Sequence, residues 1–375
     1  MAAQTTELYP LGDTDYAIPP GETLRELLDE QGLTQRDLAR RADLSPKHVN
    51  RLLQGLVPLS AEVAQRLERV TGTPARIWNR LEANYRSDLE RLRSQRDLAE
   101  YDEWLGKLPV KALVERGVLP EKPSDHAARV EQMLSFFGVA TVEAWVDVYL
   151  SLACSFRQSR AYEAKPGAVA TWLRLGEIAA RDVQCEPFDR AGLESALPAL
   201  RALTSEPPEV FSSQMREICA AHGVAVIFIE EVSGARASGV TRWLTPVKAL
   251  IQLSLRYRTD DHLWFTFFHE VTHVLRHGKT DVWIEGSSPT ANDPREAEAD
   301  RFSRDVLIPP RAARELPTLK SDAAVLDFAA RIGVAPGIVV GRLQHDQHWP
   351  HSRGNQLKRR LVLTEAGRNS SAGER

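Results

Sequence analysis

The run 264–275 (WFTFFHEVTHVL) constrains this chain more than any other stretch. It carries two histidines four apart and a carboxylate beside the first, enclosed on both sides by large apolar side chains. Trp264, Phe265, Phe267 and Phe268 precede the polar group, and Val274 and Leu275 follow it. That density fits a buried helix and not a solvated one. Positions four apart in a helix lie about 40° apart around the axis and roughly 6 Å along it, so His269 and His273 share a face and can converge on one ion. Glu270 falls beside such an ion rather than on it, where a general base for water belongs. Arg276 and His277 then occupy the last turn before Gly278, placing positive charge at the negative end of the helix dipole.

A site with three protein ligands needs one more donor from a separate segment, and Glu296 and Glu298 are the candidates. Asp293-Pro294-Arg295-Glu296 spells a helix start, with Asp as N-cap, Pro at the first position and Glu at the third. Capping accounts for Glu296 and leaves Glu298 as the expected ligand. The helix should run to about residue 307 and stop before Pro309-Pro310. His277 lies eight residues beyond His269, about 12 Å along the same axis, and cannot share the ion while the helix continues.

The run FHEVTH, followed by Glu298-Ala299-Asp300-Arg301-Phe302 and Leu307-Ile308-Pro309, resembles the ImmA/IrrE group of metallopeptidases. The group's signature is a helical HExxH, then a second helix reading E-A-N/D-x-F-A with L-x-P after it, and the resemblance covers roughly residues 205–312. Position by position it implies His269, His273 and Glu298 as metal ligands and Glu270 as catalytic base. Ser303 stands where a small alanine is usual. The resemblance also implies a zincin-like fold with a small sheet, a zinc ion (a His₂Glu set also accepts manganese or cobalt) and a protein substrate, since members cleave repressors. Residues 223–231 (GVAVIFIEE) read as the first strand of that unit. Residues 248–257 (KALIQLSLRY) read as a further strand, expected to be the edge that holds a substrate backbone extended. Arg256, Tyr257 and His262 are candidates for stabilising an oxyanion.

A second signal lies near the other end. Residues 21–33 read as an amphipathic helix with Leu24, Leu27 and Leu28 on one face. Thr34 caps a second helix over 35–42, and Ser45-Pro46 opens a third over 47–53, ended by Gly55. Two short helices joined by a tight turn make a helix-turn-helix. Ala39 is small where the helices must cross, and Asp43 takes the turn position where glycine is usual, a residue that tolerates left-handed backbone. The second helix of such a pair enters the major groove. Ser45, Lys47, His48, Asn50 and Arg51 are its expected exposed residues. Asn50 and Arg51 are suited to base edges, Gln35 and Lys47 to phosphate. Residues 17–85, including Ile77-Trp78-Asn79-Arg80-Leu81 and Tyr85, resemble XRE-type antidote repressors of the HigA kind. That resemblance implies a double-stranded DNA operator, a homodimer, autoregulation and a cognate toxin as partner.

At 375 residues the chain should hold more than one core. The expected fold is mainly α with a small α+β part. Its divisions are a helix-turn-helix bundle at 17–92, a helical middle region at 93–205, the metallopeptidase-like unit at 206–315, a C-terminal helical extension at 316–363 and a disordered tail from 364. A formal net charge of −3 gives no bulk attraction to nucleic acid or membrane, so any DNA-reading face is local. The opening MAAQTTELYPLG has no basic-then-apolar pattern, so no secretion signal is expected. The apolar stretch 142–156 is interrupted by Glu143 and Asp147 and reads as a core helix, not a membrane span. Three scattered cysteines (Cys154, Cys185, Cys219) fit reduced thiols in the cytoplasm. Two functions suit this pattern: a DNA-binding regulator with a working peptidase site, or a repressor whose metal domain senses or scaffolds without turnover. Glu270 favours the first, because a closed structural site needs no base.

Overall fold

The computed structural model describes residues 16–98, 101–121, 123, 126–150, 164–278, 283–286 and 294–361. They fall into two compact units, one within Met1–Asp102 and Pro123–Glu131, the other within Glu103–Lys122 and Gln132–Arg375. Asp293, Cys154 and the tail from 364 lie outside the described residues.

The first unit is helical: α1 (Pro20–Glu30), α2 (Gln35–Arg41), α3 (Pro46–Leu53), α4 (Ala61–Thr71) and α5 (Ala75–Leu98). Capping residues set these boundaries. Thr34 makes a reciprocal capping box with Asp37, Ser45 Oγ accepts from the His48 amide, and Ser60 Oγ accepts from Val63. Asp43 sits at φ 54° in the turn between α2 and α3, as its substitution for glycine requires. Leu24, Leu38, Ala39, Val49, Leu52, Leu67 and Trp78 close one core. Gly21 allows α1 to cross α3 in direct contact, since a Cβ there would strike the Leu53 backbone. The long helix begins at Ala75, and its first turns pack inward, with Trp78 fully buried and Tyr85 nearly so.

The chain continues through α6 (Asp102–Gly106), α7 (Val110–Glu115), α8 (His126–Phe137) and α9 (Val142–Trp145), the last running into a π-helical turn at Val146–Leu150. Within 126–150 lies a stretch long and apolar enough, by length and composition alone, for a membrane span. It is interrupted, however: Gly138 turns at φ 69° and Thr141 caps a new start.

In the second unit, α10 (Pro166–Arg181), α11 (Arg190–Ala202) and α12 (Pro208–Ala220) lead into β1 (Val224–Phe228), β2 (Ala237–Thr245) and β3 (Lys248–Leu253). There follow α13 (Asp260–Arg276), β4 (Trp283–Gly286), α14 (Pro294–Leu307), α15 (Pro310–Ala313), α16 (Asp322–Ile332) and α17 (Pro336–His345). The sheet order is β1-β3-β2-β4, with β1 parallel to β3 and the other pairs antiparallel. This corrects the expectation that residues 248–257 form an edge. β3 is paired on both sides, and Ala249 to Leu253 are buried without alternation, as a strand covered on both faces requires, with the polar Gln252 bonding the Trp172 carbonyl. The ends of the order are β1 and β4.

Residues beyond 315, expected as a separate extension, share the core of α13. Phe328, Val339, Val340, Leu343 and Trp349 belong to the same cluster as Trp264, Phe267 and Phe268. The contact is close because α17 is glycine-faced. A Cβ at Gly341 would lie 2.6 Å from the Asp261 carboxylate, and one at Gly337 would strike that of Asp260.

Candidate metal centre and DNA-reading helix

Helix α13 rests on the sheet through its aromatic residues, and this packing buries its polar face too. His269, Glu270 and His273 are all at most 2% exposed. Their partners come from α14 and β2. His269 Nε2 and His273 Nε2 lie 3.0 Å apart. The Glu296 carboxylate completes the group, one oxygen 3.1 Å from His269 Nε2 and the other 3.7 Å from His273 Nε2. Four donors around zinc at about 2.0–2.1 Å would stand about 3.3 Å from one another. The observed separations bracket that value, and the nitrogen–nitrogen–oxygen set matches zinc's preferences. Burial together with the neighbouring His269 and His277 pushes the His273 pKa down to about 2, so the ring is neutral as a ligand must be.

The choice of carboxylate made from the sequence is therefore corrected: Glu296, and not Glu298, joins the histidines. Glu298 instead accepts from Arg276 Nη1 at 2.8 Å and faces His277 Nε2 at 3.6 Å. The Arg276 bond holds its carboxyl below the usual range. The physical reason is helical phase. Ala299, Ser303 and Leu307 are the buried positions of α14, and Glu296 and Asp300 share that side, whereas residue 298 is turned about 200° away from 296. Ser303 is fully buried and satisfies its hydroxyl on the Ala299 carbonyl, so a small residue at 303 allows the close approach of α13.

Three further contacts escaped the sequence reading. Asp300 Oδ1 lies 3.0 Å from His269 Nδ1, an outer acceptor that fixes which nitrogen of that ring is left for an ion. Thr241 Oγ1 lies 2.6 Å from Glu270 Oε2 and 3.0 Å from the Glu270 carbonyl, so β2 anchors the expected base. Two residues earlier on the same strand face, Gly239 leaves room for it: a Cβ there would lie 2.7 Å from Glu270 Oε1 and 2.6 Å from Thr266 Cγ2. The oxyanion candidates have other contacts. Arg256 donates to the Arg236 carbonyl at 2.6 Å, and Tyr257 stacks on His262 at 4.2 Å.

In the first unit, Gln35, Lys47, Asn50 and Arg51 are exposed along α2 and α3. Ser45 is exposed as well, but its hydroxyl is engaged in capping α3. His48 differs from expectation. It is half-buried, with Nε2 shielded from solvent, because it flanks the Val49–Leu52–Leu53 face. It is thus the least available of the six for contact with DNA.

Residues 24–78 match the helix-turn-helix family profile. The chain is 35% identical over 81 residues to the HTH-type transcriptional regulator YddM of Escherichia coli (strain K12), covering 86% of that protein and 20% of this one. The chain belongs to the HTH-type transcriptional regulators. It is also 36% identical over 78 residues to virulence-associated protein I of Dichelobacter nodosus, covering 72% of that relative and 20% of this chain. Among solved structures it is similar to an addiction module antidote protein of the HigA family from Coxiella burnetii. There the identity is 26% and the TM-score 0.21, over 22% of this chain and 92% of the other. Residues 219–344 match a peptidase-family profile described as the IrrE N-terminal-like domain. This regulator therefore carries its DNA-binding module and an IrrE-like domain in one chain, and the second match spans every residue of the His269–His273–Glu296 group.

Proposed function

We propose that this regulator is a metal-dependent peptidase that cleaves a protein, in the first place a repressor of the helix-turn-helix type, and so couples proteolysis to transcription. The observation that supports this most directly is the convergence of two buried imidazoles and one carboxylate, with Glu270 held at the position next to His269 on the same helix. His269, His273 and Glu296 would hold the ion, with Asp300 orienting His269. A zinc ion in such a set supplies Lewis acidity and lowers the pKa of water towards neutrality. Glu270 takes a proton from the attacking water and returns it to the leaving amine. Its burial excludes bulk water from competing for that proton, and Thr241 keeps the carboxylate from rotating away.

For the DNA-reading half, Asn50 and Arg51 are proposed to contact base edges and Gln35 and Lys47 the phosphates, with Ser45 and His48 at the margin. A homodimer on an operator, action in the cytoplasm and a toxin partner belong to the same proposal. The test is incubation of the purified, zinc-loaded chain with helix-turn-helix repressors and with operator DNA, with products read by mass spectrometry. Defined fragments from wild type and none from Glu270→Gln, at equal metal content, are expected. If wild-type protein bound operator and zinc but produced no fragments under any inducing condition, the metal domain would be a sensor instead.

A further inference from the structure

We propose that His277 and Glu298 are positioning residues for His273, extending the functional run by one turn beyond the HExxH pattern. The inference rests on the reading of His269, His273 and Glu296 as a metal site. The helix ends at Arg276, and His277 adopts extended backbone (φ −107°, ψ 167°) while its amide still bonds the His273 carbonyl. This folds its ring back alongside His273, with centroids 4.8 Å apart and Nδ1 2.8 Å from His273 Nδ1. His277 faces the outer nitrogen, on the side opposite to where His273 Nε2 meets His269 and Glu296. It is therefore not a fourth ligand.

Two Nδ1 atoms at that separation can share only one proton. If His273 offers Nε2 to an ion, its proton is on Nδ1 and is donated to His277 Nδ1. The proton of His277 must then sit on Nε2, which faces Glu298 Oε2, and the other Glu298 oxygen accepts from Arg276. Arg276 is itself placed over the Phe302 ring, with 4.7 Å to its centroid. The line Arg276–Glu298–His277–His273 thus selects one tautomer at each ring and leaves Nε2 of His273 as the acceptor atom. His269 gets the same service directly from Asp300. The asymmetry explains why Glu298, excluded from the ion by its phase on α14, is still a carboxylate.

The test is zinc affinity of the full chain by competition with a fluorescent chelator, for wild type, His277→Leu, Glu298→Ala and the double variant. His277→Leu should bind zinc about 10–100-fold more weakly, and Glu298→Ala up to about tenfold. Because the two act in series, the double variant should lose no more than His277→Leu alone. His277→Gln, whose amide oxygen can accept from Nδ1–H, should recover part of the loss. Glu298 is at the surface, so Glu298→Ala tests the proposal even if His277→Leu fails to fold. Unchanged zinc affinity in Glu298→Ala and in a folded His277→Leu would overturn it, and so would fully additive losses. A wild type that binds no zinc would instead overturn the metal site itself, and this inference with it.

Discussion

Replacing Glu296 by Ala removes one of three donors, whereas replacing Glu298 by Ala removes a residue two places along that makes no contact with the ligand nitrogens' inner side. Linkage converts this difference into melting temperatures. Zinc at a free concentration a hundredfold above the wild-type Kd should stabilise the folded unit by about 2.7 kcal/mol. For a unit of this size that is roughly 5–11 °C. Glu298→Ala, with affinity weakened tenfold through His277, should retain about 1.4 kcal/mol, or roughly 3–6 °C. Glu296→Ala leaves two imidazoles without the oxygen that lies 3.1 Å from one of them. If its affinity falls a hundredfold or more, the remaining stabilisation is at most about 0.4 kcal/mol, roughly 1 °C. The assay is differential scanning calorimetry of the three proteins with and without buffered zinc. A zinc shift kept in Glu296→Ala and lost in Glu298→Ala would refute the assignment from helical phase and restore the carboxylate first expected.

Gly239→Ala should cost roughly 1–3 kcal/mol of stability, measured by denaturant unfolding, because its Cβ meets Glu270 and Thr266 within a packed layer; unchanged stability would mean β2 does not rest on the base. Asp260 is buried beside Asp261, and desolvation and then that neighbour raise its pKa from 3.8 to about 6. The folded state therefore binds a proton that the unfolded state does not between those pH values. This contribution, about 3 kcal/mol, is fully present below pH 3.8 and lost as pH rises through 6. Asp260→Asn keeps an oxygen for the Asp261 and Arg359 amides and carries no charge. It should be more stable than wild type at pH 7–8 and lose that part of the pH slope, and a variant equally stable or weaker at pH 8 would contradict the sign. Arg51→Ala should lose sequence discrimination at a cost of roughly 1–3 kcal/mol, read by operator competition, and undiminished selectivity would remove α3 from the groove.

What could be read from the sequence and what could not divide along a physical line. The capped helices of the first unit and the aromatic helix carrying His269 and His273 are specified by residues within one or two turns, and both were legible. Strand β2 was missed because it carries a buried arginine, Arg242, whose ion-pair partner Glu177 lies on α10, 65 positions away. Thr241 was invisible as an anchor for Glu270 because the two meet only through packing of β2 against α13. β3 was recognised as a strand but misplaced at the edge, since pairing on both sides is a property of the sheet and not of the strand.

The Glu296–Glu298 choice is of a different kind, because the deciding information was local. Capping logic explained Glu296 and so dismissed it, yet a carboxylate in the first turn of a helix can stabilise the dipole and reach across to a neighbour at once. The discriminating signal was the spacing of Ala299, Ser303 and Leu307. Small or apolar residues at intervals of four mark the side of α14 that must approach α13, and only positions 296 and 300 extend that side towards the histidines. Where two acidic residues compete as ligands, the buried phase of their helix is therefore a stronger guide than whether one of them already has a role. The same reasoning leaves Glu298 on the outer flank with Arg276 and His277, able to act on the ion only through His273.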